Sequence, residues 1–289
     1  MAATEQAMDH PIVGAEGELS RRQAQAKILN LAYPAIIEQL LVTLVSMADM
    51  IMVGGLGASA IAAVGLSNQP IFTANAIFSA ISIGSTALIA RLMGAQDYRL
   101  ANRAARQSLI LAVSASLVLM VGVFFFAPAM IHFMRAEADV APLAITYSRI
   151  MGVSLVFSLT SMILNGVLRG AGDMRTPMRV NVVANVINIV LNYFLIFGVG
   201  PFPRLGVAGA AVATLISHMV AFGLVLSVFF SGRFVLNFKR GQSYRPDWEL
   251  IKRILNVGLP ASLEQLIMRF GMMLYARTVS SLGTISYAA

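Results

Sequence analysis

Apolar residues run in long blocks along this chain, interrupted by short clusters of Gly, Pro and charge. The blocks fall at 28–53, 60–92, 103–133, 139–168, 177–200, 206–231 and 253–282, each at or above the roughly 20 residues that carry an α-helix across a bilayer. The pattern predicts seven membrane-spanning helices. The breaks "GGLGASA", "MGAQDYRLAN", "RAEADVAP", "RGAGDMRTP" and "GVGPFPRLG" join helix-stopping residues to polar ones and read as tight turns between antiparallel spans. The longest polar stretch, 231–253, follows the sixth block and reads as a linker. The expected organisation is a polar tail over 1–27, a six-helix lobe over 28–231, a linker over 232–252 and a further helix over 253–289.

Composition makes this an all-α polytopic membrane protein, with 58% of residues hydrophobic, 12% charged and a mean hydropathy of +0.77. A soluble domain needs about a quarter of its residues charged to clothe its surface, so the expected surroundings are the lipid bilayer. The net charge of +8 is scattered between apolar blocks and forms no basic stripe, which argues against a nucleic-acid partner. The absence of cysteine removes disulfides, thiol catalysis and Cys-based metal sites. There is no HExxH, P-loop or GxSxG motif, so neither an enzyme nor an ATP-driven pump is expected. No resident cofactor or metal is expected.

The first 26 residues lack an apolar segment and read as a tail, not a signal peptide. With that tail in the cytoplasm, the inner segments hold 16 of the 21 Lys and Arg, among them Arg21, Arg22, Lys27, Arg169, Lys239 and Arg240. The expected setting is a bacterial inner membrane, crossed several times with the N-terminus inside.

A repeat refines the organisation. "PAIIEQLLVTLVSMADMIMVGGLGASAIAA", from Pro34, and "PASLEQLIMRFGMMLYARTVSSLGTISYAA", from Pro260, agree without a gap at eleven of thirty positions. The matches include Glu38 with Glu264, Gln39 with Gln265 and Gly57 with Gly283. Two apolar helices match in Leu and Ala by chance, but not in a proline, a Glu-Gln pair and a Leu-Gly turn held in register. The second copy comes six spans after the first, so both point the same way through the membrane, as in transporters whose parallel halves enclose a substrate site. The chain ends just after the second copy, which leads one to expect the remainder of a second lobe.

Ionisable or amide side chains inside a span mark candidate sites, because each costs several kcal/mol without a partner. Asp49 reads as a carboxylate that takes up a proton or Na⁺, or else as an interfacial acid. Glu38, about three turns before it on the same helical face, reads either as a cavity carboxylate for a cationic substrate or as a structural acid. Glu264 repeats it. Asn181, Asn185, Asn188 and Asn192 are spaced 4, 3 and 4 apart and share one helical face, which suits a cavity lining or an ion site more than simple helix pairing. Asn68 and Gln69, beside Pro70, read as cavity lining or as partners for a backbone carbonyl freed by the proline. His218, Tyr147 and Arg149 read as packing or snorkelling residues.

Several of these stretches resemble the multidrug and toxic compound extrusion (MATE) family of secondary transporters. They are "MADMIMVGGLGASAIAAVG", "LNGVLRGAGDMRTPM", "LGVAGAAVAT" and "LPASLEQLI", of which the "LRGAGDMRTPM" loop is the most specific. The resemblance implies a twelve-helix protein of two six-helix lobes. It would export small cationic or amphipathic drug-like compounds in exchange for H⁺ or Na⁺, with this chain covering one lobe and one helix of the next. It implies that Asp49 is the ion-coupling acid of the first helix and that Asn188 and Asn192 flank it. Some proton-coupled relatives have Asp where Asn192 stands, and some members have an acid where Met268 stands; Glu264, one turn earlier, is the nearest substitute. Two other readings stay open: a lipid-linked oligosaccharide flippase of the same superfamily, and a truncated membrane protein without transport activity.

Overall fold

In a computed structural model, the described residues are 21–134, 136–231, 235–238 and 245–281, with side chains from residue 32 onward except those of 265, 266, 269, 270 and 272–281. They form seven α-helices: α1 Arg21–Gly54, α2 Ala58–Gly94, α3 Tyr98–Phe133, α4 Ala141–Gly170, α5 Arg175–Phe197, α6 Val207–Phe230 and α7 Trp248–Ser281. The side chains of Arg21, Arg22, Lys27, Arg269 and Tyr275 lie outside the described residues, as do residues 1–20, Lys239, Arg240 and the repeated positions from Leu282 on.

Six helices, α1 to α6, are long and apolar enough to cross a membrane. These are counted among the described residues; the expected seventh helix is present as α7, whose apolar run is interrupted by Glu264, Gln265 and Arg269. α1 begins at Arg21, inside the segment expected to be tail. α7 begins at Trp248, ahead of the expected 253, because Asp247 caps it by accepting from the Glu249 and Leu250 N–H groups. A hydropathy window ends where charge begins, whereas a capped helix continues into water.

Each turn has its own chemistry. Gly57, at a φ of 108°, ends the α1–α2 turn in a conformation that a side chain would strain. Asp97 caps α3 through the Leu100 N–H at 2.9 Å. In the α4–α5 turn one Asp173 oxygen accepts from the Arg175 and Thr176 N–H groups at 3.0 and 2.9 Å, and the other accepts from the Thr176 hydroxyl at 2.5 Å. Ahead of α4, the Ser59 hydroxyl donates to Asp139 at 2.5 Å and holds that exposed carboxyl below its usual range.

α4 is the buried centre of the bundle, packed by α2, α3 and α6, while α5 lies against α6 and carries α1 on its other side. The α2–α4 contact is close and partly polar. Ser82 and Thr86 hydroxyls donate to the Met162 and Gly166 carbonyls at 3.3 and 2.9 Å, with Gly166 leaving the space for the hydroxyls and Gly170 for the Thr86 backbone carbonyl. Small residues and hydroxyls suit helix pairing in lipid, where apolar side chains gain nothing by leaving one apolar medium for another.

α7 docks along α2 in the same manner. A Cβ on Gly84 would overlap the Ile254 carbonyl, and one on Gly258 would overlap that of Ala80. Substituting Ala for Gly84 or Gly258 is expected to cost about 1–3 kcal/mol through overpacking. Thermal unfolding in detergent checks this: both variants should lower the midpoint, while Gly65→Ala, where a Cβ meets open space, should not.

Candidate functional site

Apart from buried Val45 and Val53, α1 meets the bundle largely through its polar residues. Its aliphatic side chains Ile36, Leu40, Leu44, Met47, Met50 and Ile51 are exposed, as suits a lipid-facing helix. Towards α5 it turns Glu38 and Asp49, which confirms that the eleven-residue spacing puts both on one face.

Around Asp49 a chain of polar groups crosses three helices. The Asn192 amide donates to the Asp49 carboxylate at 2.5 Å and approaches Asn188 Oδ1 at 3.2 Å. Asn188 Nδ2 donates in turn to the Thr214 hydroxyl on α6 at 3.2 Å, and Thr214 donates to the Ala210 carbonyl at 2.9 Å. Asn188 and Asn192 are buried, and Asn192 Oδ1 is buried with no hydrogen-bond partner. Tyr147, also buried, lies within electrostatic reach of Asp49. The site therefore gathers the Asp49 carboxylate, two amide oxygens and a hydroxyl in one buried region: acceptors for a proton or oxygen ligands for a small hard cation.

The other end of the stripe is built around Glu38. Arg169 from α4 reaches its two oxygens at 3.2 and 3.4 Å, and Asn181 donates to Oε1 at 2.6 Å. Glu38 and Arg169 are 19% and 31% exposed, so water screens this pair only in part. The pair lies on the wall of a cavity of about 320 Å³ between α1, α4, α5 and α6. Ser161, Asn165 and Asn185 also line that cavity, and Ser161 Oγ, Asn165 Oδ1 and Asn185 Nδ2 are buried atoms with no hydrogen-bond partner. Unpartnered polar atoms of this kind are costly unless something polar visits them.

The four asparagines therefore serve two places: Asn181 and Asn185 belong to the cavity, while Asn188 and Asn192 belong to the Asp49 network. Asn68 and Gln69 are not among the described residues that line this cavity, and Glu264 stands exposed on α7. Beside Pro70, the Asn75 amide and the Thr73 hydroxyl instead bond the Ile71 and Gln69 carbonyls within α2. His218 is half-buried, lines the cavity and sits 2.7 Å from the Ser154 hydroxyl through Nδ1, a more specific placement than packing. Arg149 covers the Phe124 ring at 5.5 Å. Thr214, Ser161 and Asn165 gave no sequence signal, since isolated hydroxyls and amides are common in membrane helices and only the assembled bundle brings them together.

The MatE family matches residues 34–194, which is more than half of the chain and includes Glu38, Asp49 and the whole asparagine stripe. The chain belongs to the MatE family. Across 92% of its length it is 34% identical to a probable multidrug resistance protein NorM of Thermotoga maritima, of which it covers 57%. It is 32% identical to an FAD transporter of Shewanella oneidensis over 68% of this chain and 44% of that one. A solved outward-facing multidrug resistance MATE family transporter superposes with a TM-score of 0.80 at 31% identity, over 89% of this chain and 56% of its own.

MatE proteins are transporters and not enzymes. This MatE chain is a multi-pass membrane protein and spans a little over half the length of the relatives it matches. The family match ends before α6, so Thr214 and His218 enter the site from outside the matched segment.

The Glu38–Arg169 contact is open to a direct test. A double-mutant cycle with Glu38→Gln and Arg169→Gln is expected to give a coupling energy of about 1 kcal/mol, between the values for exposed and fully buried pairs. Thermal denaturation of the four proteins in detergent measures it, and additive effects would mean that the pair contributes nothing.

Proposed function

We propose that this chain is the first lobe, with the opening helix of the second, of a secondary antiporter that exports cationic or amphipathic compounds in exchange for H⁺ or Na⁺. The observation that carries the reading is the Asp49 network: a carboxylate on a lipid-facing helix, bonded to buried Asn192 and linked through Asn188 to Thr214. The multidrug resistance relatives support the substrate class. The lobe organisation, with a tail, six helices and a linker before α7, belongs to the same proposal.

Asp49 works as the exchange point because the amide beside it can serve either protonation state. Ionised, Asp49 accepts from Asn192 Nδ2. Protonated, it becomes a donor and needs an acceptor, and Asn192 Oδ1, buried and unpartnered on the same amide, supplies one when the amide turns over. A Na⁺ ion would use the same turn, drawing on the carboxylate, the Asn188 and Asn192 amide oxygens and the Thr214 hydroxyl. Either ion changes the bonds that hold α1 to α5, so its affinity differs between arrangements of α1. That difference is what lets an ion shift a conformational equilibrium. The cavity beside Glu38, Asn181 and Asn185 is the proposed substrate-side lining, and the carboxylate there suits a cation.

The full-length protein in vesicles tests the coupling. An imposed H⁺ or Na⁺ gradient should drive efflux of a cationic dye, and Asp49→Asn should slow the gradient-driven rate by at least about tenfold, as expected when an essential intramembrane acid is removed. Undiminished gradient-driven efflux in that variant would sink the proposal. A selective loss of Na⁺-driven efflux in Thr214→Val would identify Na⁺ as the ion, whereas equal rates would favour H⁺.

The proposed orientation has the N-terminus in the cytoplasm of a bacterial cell. Because the chain contains no cysteine, single cysteines report topology without background. A cysteine at Gln96, in the α2–α3 turn, should react with a membrane-impermeant maleimide only after permeabilisation, and one at Phe202, in the α5–α6 turn, should react in intact cells. The reverse pattern would invert the topology.

A further inference from the structure

At one end of the bundle, α3 and α7 both pass from polar to apolar. The first turns of α3 carry Arg103, Arg106 and Gln107, after which its sequence is apolar almost to Phe133. α7 opens with Trp248, and residues 245–247 lie against α3 just before it. Buried Gln107 fixes that segment from both sides of Pro246. Its Nε2 donates to the Arg245 carbonyl at 2.8 Å, and its Oε1 accepts from the Asp247 N–H at 3.0 Å. Arg103 pairs with Asp247 at 2.9 Å.

Between them lies a cavity of about 320 Å³, lined by Arg103, Arg106, Gln107, Arg245, Asp247 and Trp248. It is separate from the Asp49 network and from the cavity beside Glu38. Among the described residues lining it are three guanidinium groups and one carboxylate, and that carboxylate is engaged by Arg103. The described lining carries three positive side chains to one negative, in a recess held in place by the buried Gln107 amide. Its volume is at the small end for ligand sites, enough for a phosphate ester and too little for an extended polyanion. Trp248 is 77% exposed at the mouth, with the amphipathic ring typical of the level where headgroups meet hydrocarbon.

We propose that this recess binds the phosphate headgroup of an anionic phospholipid. Guanidinium forks match phosphate oxygens in charge and geometry, and basic recesses between helix ends are where such headgroups are held. The shared chemistry is a phosphate ester. The lipid is the preferred source because the apolar lengths of α3 and α7 begin directly beside the recess and would accompany the acyl chains. Bound there, the lipid would tie the start of α7 to α3 across the linker and make that junction sensitive to membrane composition.

Trp248 is the only tryptophan in the chain, so its fluorescence reports on this recess alone. The full chain is reconstituted in phosphatidylcholine vesicles containing a small fraction of phosphatidylglycerol brominated near the glycerol end of its acyl chains, or the same fraction of equally brominated phosphatidylcholine. Brominated phosphatidylglycerol should quench Trp248 more strongly. Its apparent affinity should fall roughly fivefold in Arg245→Gln and in Arg106→Gln, the change expected for the loss of one juxtamembrane arginine. Arg106 is buried and its variant is the one at risk of misfolding; Arg245 is exposed, and its variant keeps the test decisive. Equal quenching by the two lipids, or an unchanged preference in Arg245→Gln, would overturn the proposal. Addition of inorganic phosphate separates the sources: quenching that persists supports the lipid, and relief at millimolar phosphate would overturn the lipid assignment in favour of a free phosphate site.

Discussion

A polar group inside hydrocarbon has to find its partner within the protein, and in this bundle that constraint falls hardest on α1. α1 has little apolar surface buried against its neighbours, since its large aliphatic side chains point outward. What attaches it are two carboxylates, Glu38 and Asp49, and the amides and guanidinium that answer them from α5 and α4. In water such contacts would be minor beside apolar burial. In lipid, where apolar side chains are as well solvated outside the bundle as inside, they become the specific attachment. The attachment of α1 therefore depends on the charge state of two side chains.

The seams that α2 makes with α4 and α7 meet the same constraint with neutral groups. α2 and α4 interlock through Ser82, Thr86, Gly166 and Gly170, and α2 and α7 through Gly84 and Gly258, so these seams hold without ionisable residues. The contrast separates seams built from neutral groups from the seam of α1 on α5 and α4, which is built on carboxylates and is, in the proposed function, the one that answers a proton or an ion. A rigid frame beside a responsive helix is the arrangement that a gating transition requires, because a change at the site is then spent on moving one element instead of deforming all of them.

Much of this could be read from the sequence because the membrane enforces simple rules. The seven helices follow from the lengths of the apolar runs, and the shared face of Asn181, Asn185, Asn188 and Asn192 follows from the helical period. The placing of Asn188 and Asn192 beside Asp49 was legible as well, whereas the bond of Asn181 to Glu38 was not. Three further features were not legible. The start of α7 at Trp248 depends on the Asp247 cap, which hydropathy does not register. The division of the stripe between two places depends on which neighbours reach it, Arg169 at one end and Thr214 at the other. The position of α7 depends on two glycines whose role appears only when the opposing backbone carbonyls are in place.

The departure at Asn192 bears on the proposed exchange. With an aspartate there, two carboxylates would face each other and compete for one proton, and their repulsion would set the affinity. With asparagine, the charge at this place is carried by Asp49 alone, and the partner is a group that can donate from nitrogen or accept at oxygen without changing its own charge. Neutralising Asp49 therefore removes the whole charge of that contact while leaving a hydrogen bond available by rotation of one amide. The Glu38–Arg169 pair, three turns away, has partners of its own that do not involve Asp49. If Asp49 is the exchange point, α1 retains one anchor as the other changes, and the natural motion is a pivot about the Glu38 end instead of a release of the helix. Pro34, one turn before Glu38 inside α1, removes a backbone hydrogen bond beside that anchor, which places the most easily bent part of the helix next to the fixed point of such a pivot.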